Sequence, residues 1–150
     1  MMPENQTPDT QPAAETTENA IRLERHFPHP IERVWEAITT PELLARWWAA
    51  GDIAPVVGHR FTLDMAHWGE QRCEVLAVEP GRALTILFAE GVLDTTVTWR
   101  LESVADGTVL HFEHAGFRLD TPAGRQALEG MGRGWPGVID RIETVLAETA

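Results

Sequence analysis

The chain has 150 residues, of which 43% are hydrophobic, so it is long enough for one domain with a buried core. Its formal net charge of −11 argues against a nucleic-acid phosphate backbone or an anionic membrane surface as a partner. It has no lysine, no tyrosine and a single cysteine, which excludes lysine Schiff-base and P-loop chemistry, phenol-based acid catalysis, an internal disulfide and a cysteine-based zinc cage.

The N-terminal segment differs in composition from the rest of the chain. Residues 1–17 are rich in Pro, Gln, Thr, Glu and Asn and contain few apolar side chains. Such a segment cannot bury enough apolar surface to offset the chain entropy that is lost on folding. We therefore predict a disordered tail over residues 1–17 and one domain over residues 18–150.

A strand and two short helices are predicted at the start of the domain. Apolar and polar residues alternate through residues 20–27, which is typical of a half-buried strand. Pro30 suits the first turn of a helix, and apolar side chains recur at helical spacing through residues 31–38. Thr40 as N-cap and Pro41 as first helical residue indicate a second short helix. The side chains that this second helix is expected to bury are Leu43, Leu44, Trp47 and Trp48.

Five further strands are predicted in the middle of the chain from apolar residues at every second position. Their ranges are 60–65, 71–79, 82–89, 93–103 and 108–114. Pro80-Gly81 and Asp106-Gly107 are turn signals between neighbouring strands. Because short connections join consecutive strands, we predict an antiparallel meander.

The last segment is predicted to be one long helix. Thr121 is a suitable N-cap and Pro122 a suitable first residue. An apolar stripe at spacings of three and four residues follows, and its members are Leu128, Met131, Trp135, Ile139, Ile142 and Leu146. The stripe keeps its phase across Pro136, so we expect a continuous helix with a kink near residues 132–134.

Together these elements predict an α+β fold. A curved antiparallel sheet of about six strands would wrap round the long C-terminal helix, because the apolar face of each must cover the other. Since the sheet is broad and the helix is narrow, we expect a pocket for a small apolar molecule between them. The two short helices would close one end of this pocket.

Candidates for lining the pocket are the side chains that alternation or the helical stripe places on its inner faces. They are Phe61, Met65, Trp68, Trp99, Phe112, His114, Met131 and Trp135. His114 is the polar member, and it could contact a ligand oxygen or be a core histidine bonded to backbone; the second interpretation is favoured. Trp35 and Phe88 are interpreted as ordinary core residues.

Other motifs indicate no catalytic, metal or cofactor site. His111 and His114 lie three apart on one strand, so they point to opposite faces and cannot share a metal ion. Residues 132–137 match the pattern G-x-G-x-x-G, but no βαβ unit surrounds them, so no dinucleotide site is predicted. Cys73 is expected to be a small buried hydrophobe. No catalytic residue is assigned, since the sequence does not pair a nucleophile with a base.

Four motifs in order resemble the SRPBCC superfamily, which includes START-like and birch-pollen-allergen-like proteins. Residues 27–48 read FPHPIERVWEAITTPELLARWW, residues 74–80 read EVLAVEP, residues 114–117 read HAGF, and residues 134–135 read GW before spaced aliphatic residues. Within the superfamily they are most similar to the branch named after the C-terminal part of the heat-shock-90 ATPase activator. The resemblance implies a helix-grip fold and a hydrophobic cavity, but the members include lipid carriers, aromatic cyclases and uncharacterised bacterial domains, so it implies no single activity.

Three functions remain open on the sequence alone. The favoured hypothesis is binding of a small hydrophobic ligand or lipid between the sheet and the C-terminal helix, without catalysis or a cofactor. The alternatives are a cyclase- or hydrolase-type enzyme that uses a pocket histidine or carboxylate, and a stress-response or chaperone-interaction module. We expect a cytoplasmic protein, because no stretch approaches the roughly 20 apolar residues of a membrane span and the N-terminus lacks the features of a signal peptide. A homodimer and a chaperone partner are left open, and no nucleic-acid partner is expected.

Overall fold

The computed structural model describes residues 19–149 together with the backbone of Glu15–Thr17. Residues 1–14 lie outside the described residues, so the predicted disordered tail stays a prediction there. Glu15–Thr17, which the sequence analysis placed in the tail, forms strand β1 and pairs antiparallel with residues 20–22. This short polar segment has no apolar alternation that could indicate a strand.

All strands of the described residues form one antiparallel sheet, in the spatial order β1-β2-β8-β7-β6-β5-β4-β3. After β1 the strands are β2 (Ala20–Phe27), β3 (Ala50–Gly51), β4 (Arg60–Asp64), β5 (Glu70–Glu79), β6 (Ala83–Phe88), β7 (Thr95–Val104) and β8 (Gly107–Ala115). The six strands predicted from alternation are confirmed as β2 and β4–β8. Strands β1 and β3 were not predicted, because strands of three and two residues are too short for a period of two to be visible.

Three α-helices accompany the sheet in the part of the chain that the structure describes: α1 (Ile31–Thr39), α2 (Pro41–Trp47) and α3 (Pro122–Glu148). Helix α3 begins as predicted, with the Thr121 hydroxyl accepting a hydrogen bond from the Gly124 backbone N–H at 3.0 Å. The helix is continuous through Pro136, and the kink expected near residues 132–134 stays a prediction.

One face of the sheet and the apolar stripe of α3 form the core, as the sequence predicted. Alternate residues of the two central strands β7 and β8 are buried, and the register places Trp99 opposite Phe112. Trp135 of α3 lies against this face, with its ring centroid 4.5 Å from that of Phe112. The protein therefore has the predicted α+β helix-grip architecture, in which a curled antiparallel sheet holds the long C-terminal helix.

An ion pair also joins the helix to the sheet. Arg25 of β2 points toward the inner face and is only 4% exposed, and its Nε lies 2.7 Å from Oδ1 of Asp140 on α3. The Arg25 guanidinium also donates to the backbone carbonyl of Glu24 at 3.0 Å. A buried cation that is paired in this way favours one position of the helix on the sheet, because sliding the helix would leave the charge unpaired.

Candidate functional site

Aromatic side chains from three strands, from α3 and from the residue that follows α2 meet between the sheet and α3. We call them the aromatic cluster, and its members are Trp48, Phe88, Trp99, Phe112 and Trp135. Neighbouring rings lie 4.5 to 5.9 Å apart in tilted or edge-to-face orientations, which are favourable geometries for aromatic pairs. Three of these residues were predicted to line the pocket, namely Trp99, Phe112 and Trp135. Each of the three is 5% exposed or less.

Trp48 lies at the centre of this cluster. It is the residue that follows α2, where the chain leaves the helix with φ −128° and ψ −78°. Its ring centroid lies 5.7 Å from that of Phe88 on the sheet and 5.2 Å from that of Trp135 on α3. Trp48 is only partly buried, so one side of it is open to solvent. It therefore lies between the sheet and α3, where a ligand was expected from the sequence, and it is the partly exposed member of the cluster.

His114 is completely buried and both of its ring nitrogens have protein partners. The indole N–H of Trp135 donates to Nδ1 at 3.0 Å, and since Nδ1 accepts, the proton of the neutral ring is on Nε2. Nε2 then donates to the Thr95 hydroxyl at 2.7 Å, and that hydroxyl donates to the carbonyl of Phe88 at 3.5 Å. Burial lowers the pKa of His114 from 6.5 to about 3. The structure thus shows a satisfied core histidine, although its partners are side chains and not the predicted backbone groups.

Trp99 contributes a buried polar atom that has no partner within the described part of the chain. Its side chain is 1% exposed, and its Nε1–H has no hydrogen-bond partner among the described residues. Two other buried indoles do have partners, since Trp47 donates to the Ala37 carbonyl at 2.8 Å and Trp135 donates to His114. An unsatisfied buried donor lowers the stability of the folded state by about 1–3 kcal/mol, and most buried donors therefore have a partner.

The other predicted lining residues differ widely in their burial. Phe61 on β4 is buried, whereas Met65 and Met131 are partly buried against the core. The expected inward orientation of Trp68 is wrong, because its side chain is 71% exposed. Trp68 ends a short 3₁₀ turn, Ala66–Trp68, which follows the end of β4, so the alternation that orients residues of a strand no longer applies to it.

The surroundings of His111, residues 132–137 and Cys73 do not indicate a metal, dinucleotide or reactive-thiol site. His111 lies on the outer face of the sheet, with Nε2 3.0 Å from Glu102 Oε1, whereas His114 faces inward. Residues 132–137 are part of α3 and do not form the loop of a dinucleotide fingerprint. Cys73 is buried, and its burial raises the pKa of the thiol to about 11.

A separate surface cavity of about 390 Å³ lies between residues 28–32 and 103–107, at the hairpin that joins β7 to β8. None of the eight predicted lining residues borders it. Among the described residues, no helix is both long enough and apolar enough to span a bilayer.

Comparisons with known proteins agree with the fold. A family model described as Activator of Hsp90 ATPase homolog 1-like protein matches residues 28–147, a segment that contains all four motifs apart from Phe27 at the start of the first. The crystal structure of MLL2253 from Mesorhizobium loti is 37% identical, with 87% of this chain and 98% of that chain covered and a TM-score of 0.78. The solution structure of BH1534 from Bacillus halodurans is 31% identical, with coverages of 88% and 99% and a TM-score of 0.77. The crystal structure of CalU16 from Micromonospora echinospora is 30% identical, with coverages of 89% and 82% and a TM-score of 0.70. The comparison with curated proteins gave no match.

Proposed function

The chain belongs to the family of Activator of Hsp90 ATPase homolog 1-like proteins, and from that membership we propose that it binds a small hydrophobic molecule between its sheet and helix α3. The family resemblance implies a cavity at this place, and the aromatic cluster supplies flat apolar surfaces there. The protein would act as a binding module without chemistry of its own.

The position of Trp48 supports this proposal most directly. The ring lies between Trp99 of the sheet and Trp135 of α3, at centroid distances of 5.6 and 5.2 Å, and it is partly exposed. If Trp48 turned toward solvent, a flat molecule could take its place against the same aromatic faces. Stacking in its place would preserve most of the apolar contact that the cluster loses when Trp48 leaves.

Binding is favoured over catalysis because the cluster offers no free acid or base. His114 would have to give up its bonds to Trp135 and Thr95 before it could exchange a proton with a ligand. A pKa of about 3 also makes it a very weak base at neutral pH. The alternative of a chaperone-interaction module is supported by the family description alone. Cytoplasmic location stays a prediction, and a homodimer stays an open possibility.

Titration with the uncharged fluorescent probe N-phenyl-1-naphthylamine tests the proposal. We expect saturable binding with one molecule of probe per chain. The six tryptophan indole N–H signals, assigned by Trp→Phe variants, locate the probe in nitrogen-proton correlation spectra. The signals of Trp48, Trp99 and Trp135 should shift on binding, while that of Trp68 should stay in place. Absence of saturable binding, or shifts confined to Trp68, would contradict the proposal.

A further inference from the structure

We infer that the Nε1–H of Trp99 is the hydrogen-bond donor for the ligand, and that the ligand is therefore a flat, uncharged apolar molecule with one accessible oxygen acceptor, such as a conjugated ketone. This inference rests on the proposed function, since it names the class of molecule that would bind between the sheet and α3.

The donor is buried in surroundings that cannot satisfy it. Trp99 is 1% exposed, and the rings in contact with it belong to Trp47, Trp48 and Phe112. Indole and phenyl rings carry no oxygen that could accept a conventional hydrogen bond. The nearby His114 and Thr95 are engaged with each other at 2.7 Å. The described residues thus offer no acceptor for Trp99, and a molecule that enters the cluster could supply one.

Exchange of Trp48 for a ligand would bring such an acceptor to the right place. Trp48 is in ring contact with Trp99 at 5.6 Å, and it is the one partly exposed member of the cluster. A ligand that takes the place of Trp48 would contact the Trp99 indole, whose N–H has no partner among the described residues. A single oxygen at that contact would fix the orientation of a molecule that is otherwise held only by apolar contacts.

The charges near the cluster favour a neutral ligand. A carboxylate would be buried among aromatic rings without a counter-ion, which is far less favourable than burying a ketone that is hydrogen-bonded. Arg25 is a buried cation of the inner face, but its Nε is paired with Asp140 at 2.7 Å. The acceptor is thus more consistent with a carbonyl or ether oxygen than with an acid.

Fluorene and 9-fluorenone form a suitable pair of ligands, since they have nearly the same shape and differ by one carbonyl oxygen. Both are measured by displacement of N-phenyl-1-naphthylamine. We expect the wild-type protein to bind fluorenone about fivefold to tenfold more tightly than fluorene, the range of a net hydrogen bond. Trp99→Phe should remove or reverse this preference, because the ketone would then be buried without a donor.

Trp47→Phe is the matched control. It also removes one indole from the core next to Trp99, but its N–H is already used by the Ala37 carbonyl. This variant should keep the preference for fluorenone even if its overall affinity falls. A preference that is lost equally in both variants would overturn the inference, because packing and not the donor would then be responsible.

A measurement on the wild-type protein covers the case in which Trp99→Phe does not fold. The Trp99 indole proton should move downfield on addition of fluorenone and much less on addition of fluorene. If both compounds bind but the preference for fluorenone or the shift of the Trp99 proton is absent, the inference fails while the proposed function stands. The Trp99 N–H would then be described as a weak donor to a neighbouring aromatic ring. If neither compound nor the probe binds, the proposed function fails and the inference fails with it.

Discussion

Truncation of Trp48 to alanine separates a structural role of this residue from a role in admitting a ligand. The side chain is partly buried and meets four other indole or phenyl rings. The centroid distances are 5.2 Å to Trp135, 5.6 Å to Trp99, 5.7 Å to Phe88 and 5.9 Å to Trp47. Replacing a fully buried aromatic residue by alanine lowers the free energy of unfolding by about 3–5 kcal/mol. Because Trp48 is partly exposed, we expect a loss of about 2–3 kcal/mol for Trp48→Ala.

Urea unfolding followed by circular dichroism measures this loss, and Trp68→Ala is the control. Trp68 is also a tryptophan, but it is 71% exposed, so its removal should change the free energy of unfolding by less than about 0.5 kcal/mol. The same two variants are then titrated with N-phenyl-1-naphthylamine. Trp48→Ala should bind the probe more tightly than wild type, because no aromatic contacts have to be broken to admit it. Weaker binding by Trp48→Ala, or equal stability of the two variants, would refute the idea that Trp48 occupies the ligand's position.

Three further predictions concern buried polar groups. The pKa of His114 is lowered to about 3 in the folded protein, so the unfolded chain takes up a proton that the folded one does not, and stability falls as the pH decreases below about 6.5. His114→Gln should reduce the loss in free energy of unfolding between pH 7.5 and pH 5 by about 2 kcal/mol, as measured by urea unfolding at both values. Asp140→Asn should lower the free energy of unfolding by about 1–2 kcal/mol, because it removes the partner of the buried Arg25. The control is Glu129→Gln, which removes an exposed ion pair with Arg133 and should change the free energy of unfolding by less than about 0.5 kcal/mol. Equal effects of the two substitutions would show that the Arg25 pair does not stabilise the fold. The pKa of the Cys73 thiol is raised from 9.0 to about 11, which lowers the fraction of thiolate at pH 8 by about a hundredfold. The native protein should therefore react with a disulfide reagent far more slowly than the urea-unfolded chain does. Similar reaction rates would contradict burial of the thiol.

The parts of the fold that the sequence predicted are those in which a period is long enough to be counted. The alternation in β7 and β8 placed Trp99, Phe112 and His114 on the buried face, and the helical stripe placed Trp135 opposite them. Such patterns arise because each element has to bury one face, whatever the details of its neighbours. The same reasoning failed for Trp68, since the residue lies just beyond the end of a strand.

The site itself was predictable only in outline, because its geometry depends on contacts between distant residues. His114 is bonded to Thr95 and Trp135, which lie 19 and 21 residues away along the chain. Neither periodicity nor spacing identifies such partners. The central position of Trp48 depends on how the chain turns after α2, and the Trp47-Trp48 pair gave no sign of which ring would point toward the cluster.

Comparison of the buried indoles supports the inference that Trp99 has a role in binding in addition to packing. Trp47 and Trp135 each fill space and also satisfy their N–H, so the fold can accommodate an indole without leaving its donor unpaired. If position 99 served packing alone, a phenylalanine would supply an aromatic face without the penalty of about 1–3 kcal/mol for an unsatisfied donor. A ligand acceptor would remove that penalty on binding, and the gain would appear as affinity for one orientation of one class of molecule. The unpaired N–H is thus the feature that would convert an apolar cleft, which any hydrophobic compound could enter, into a site that selects its occupant.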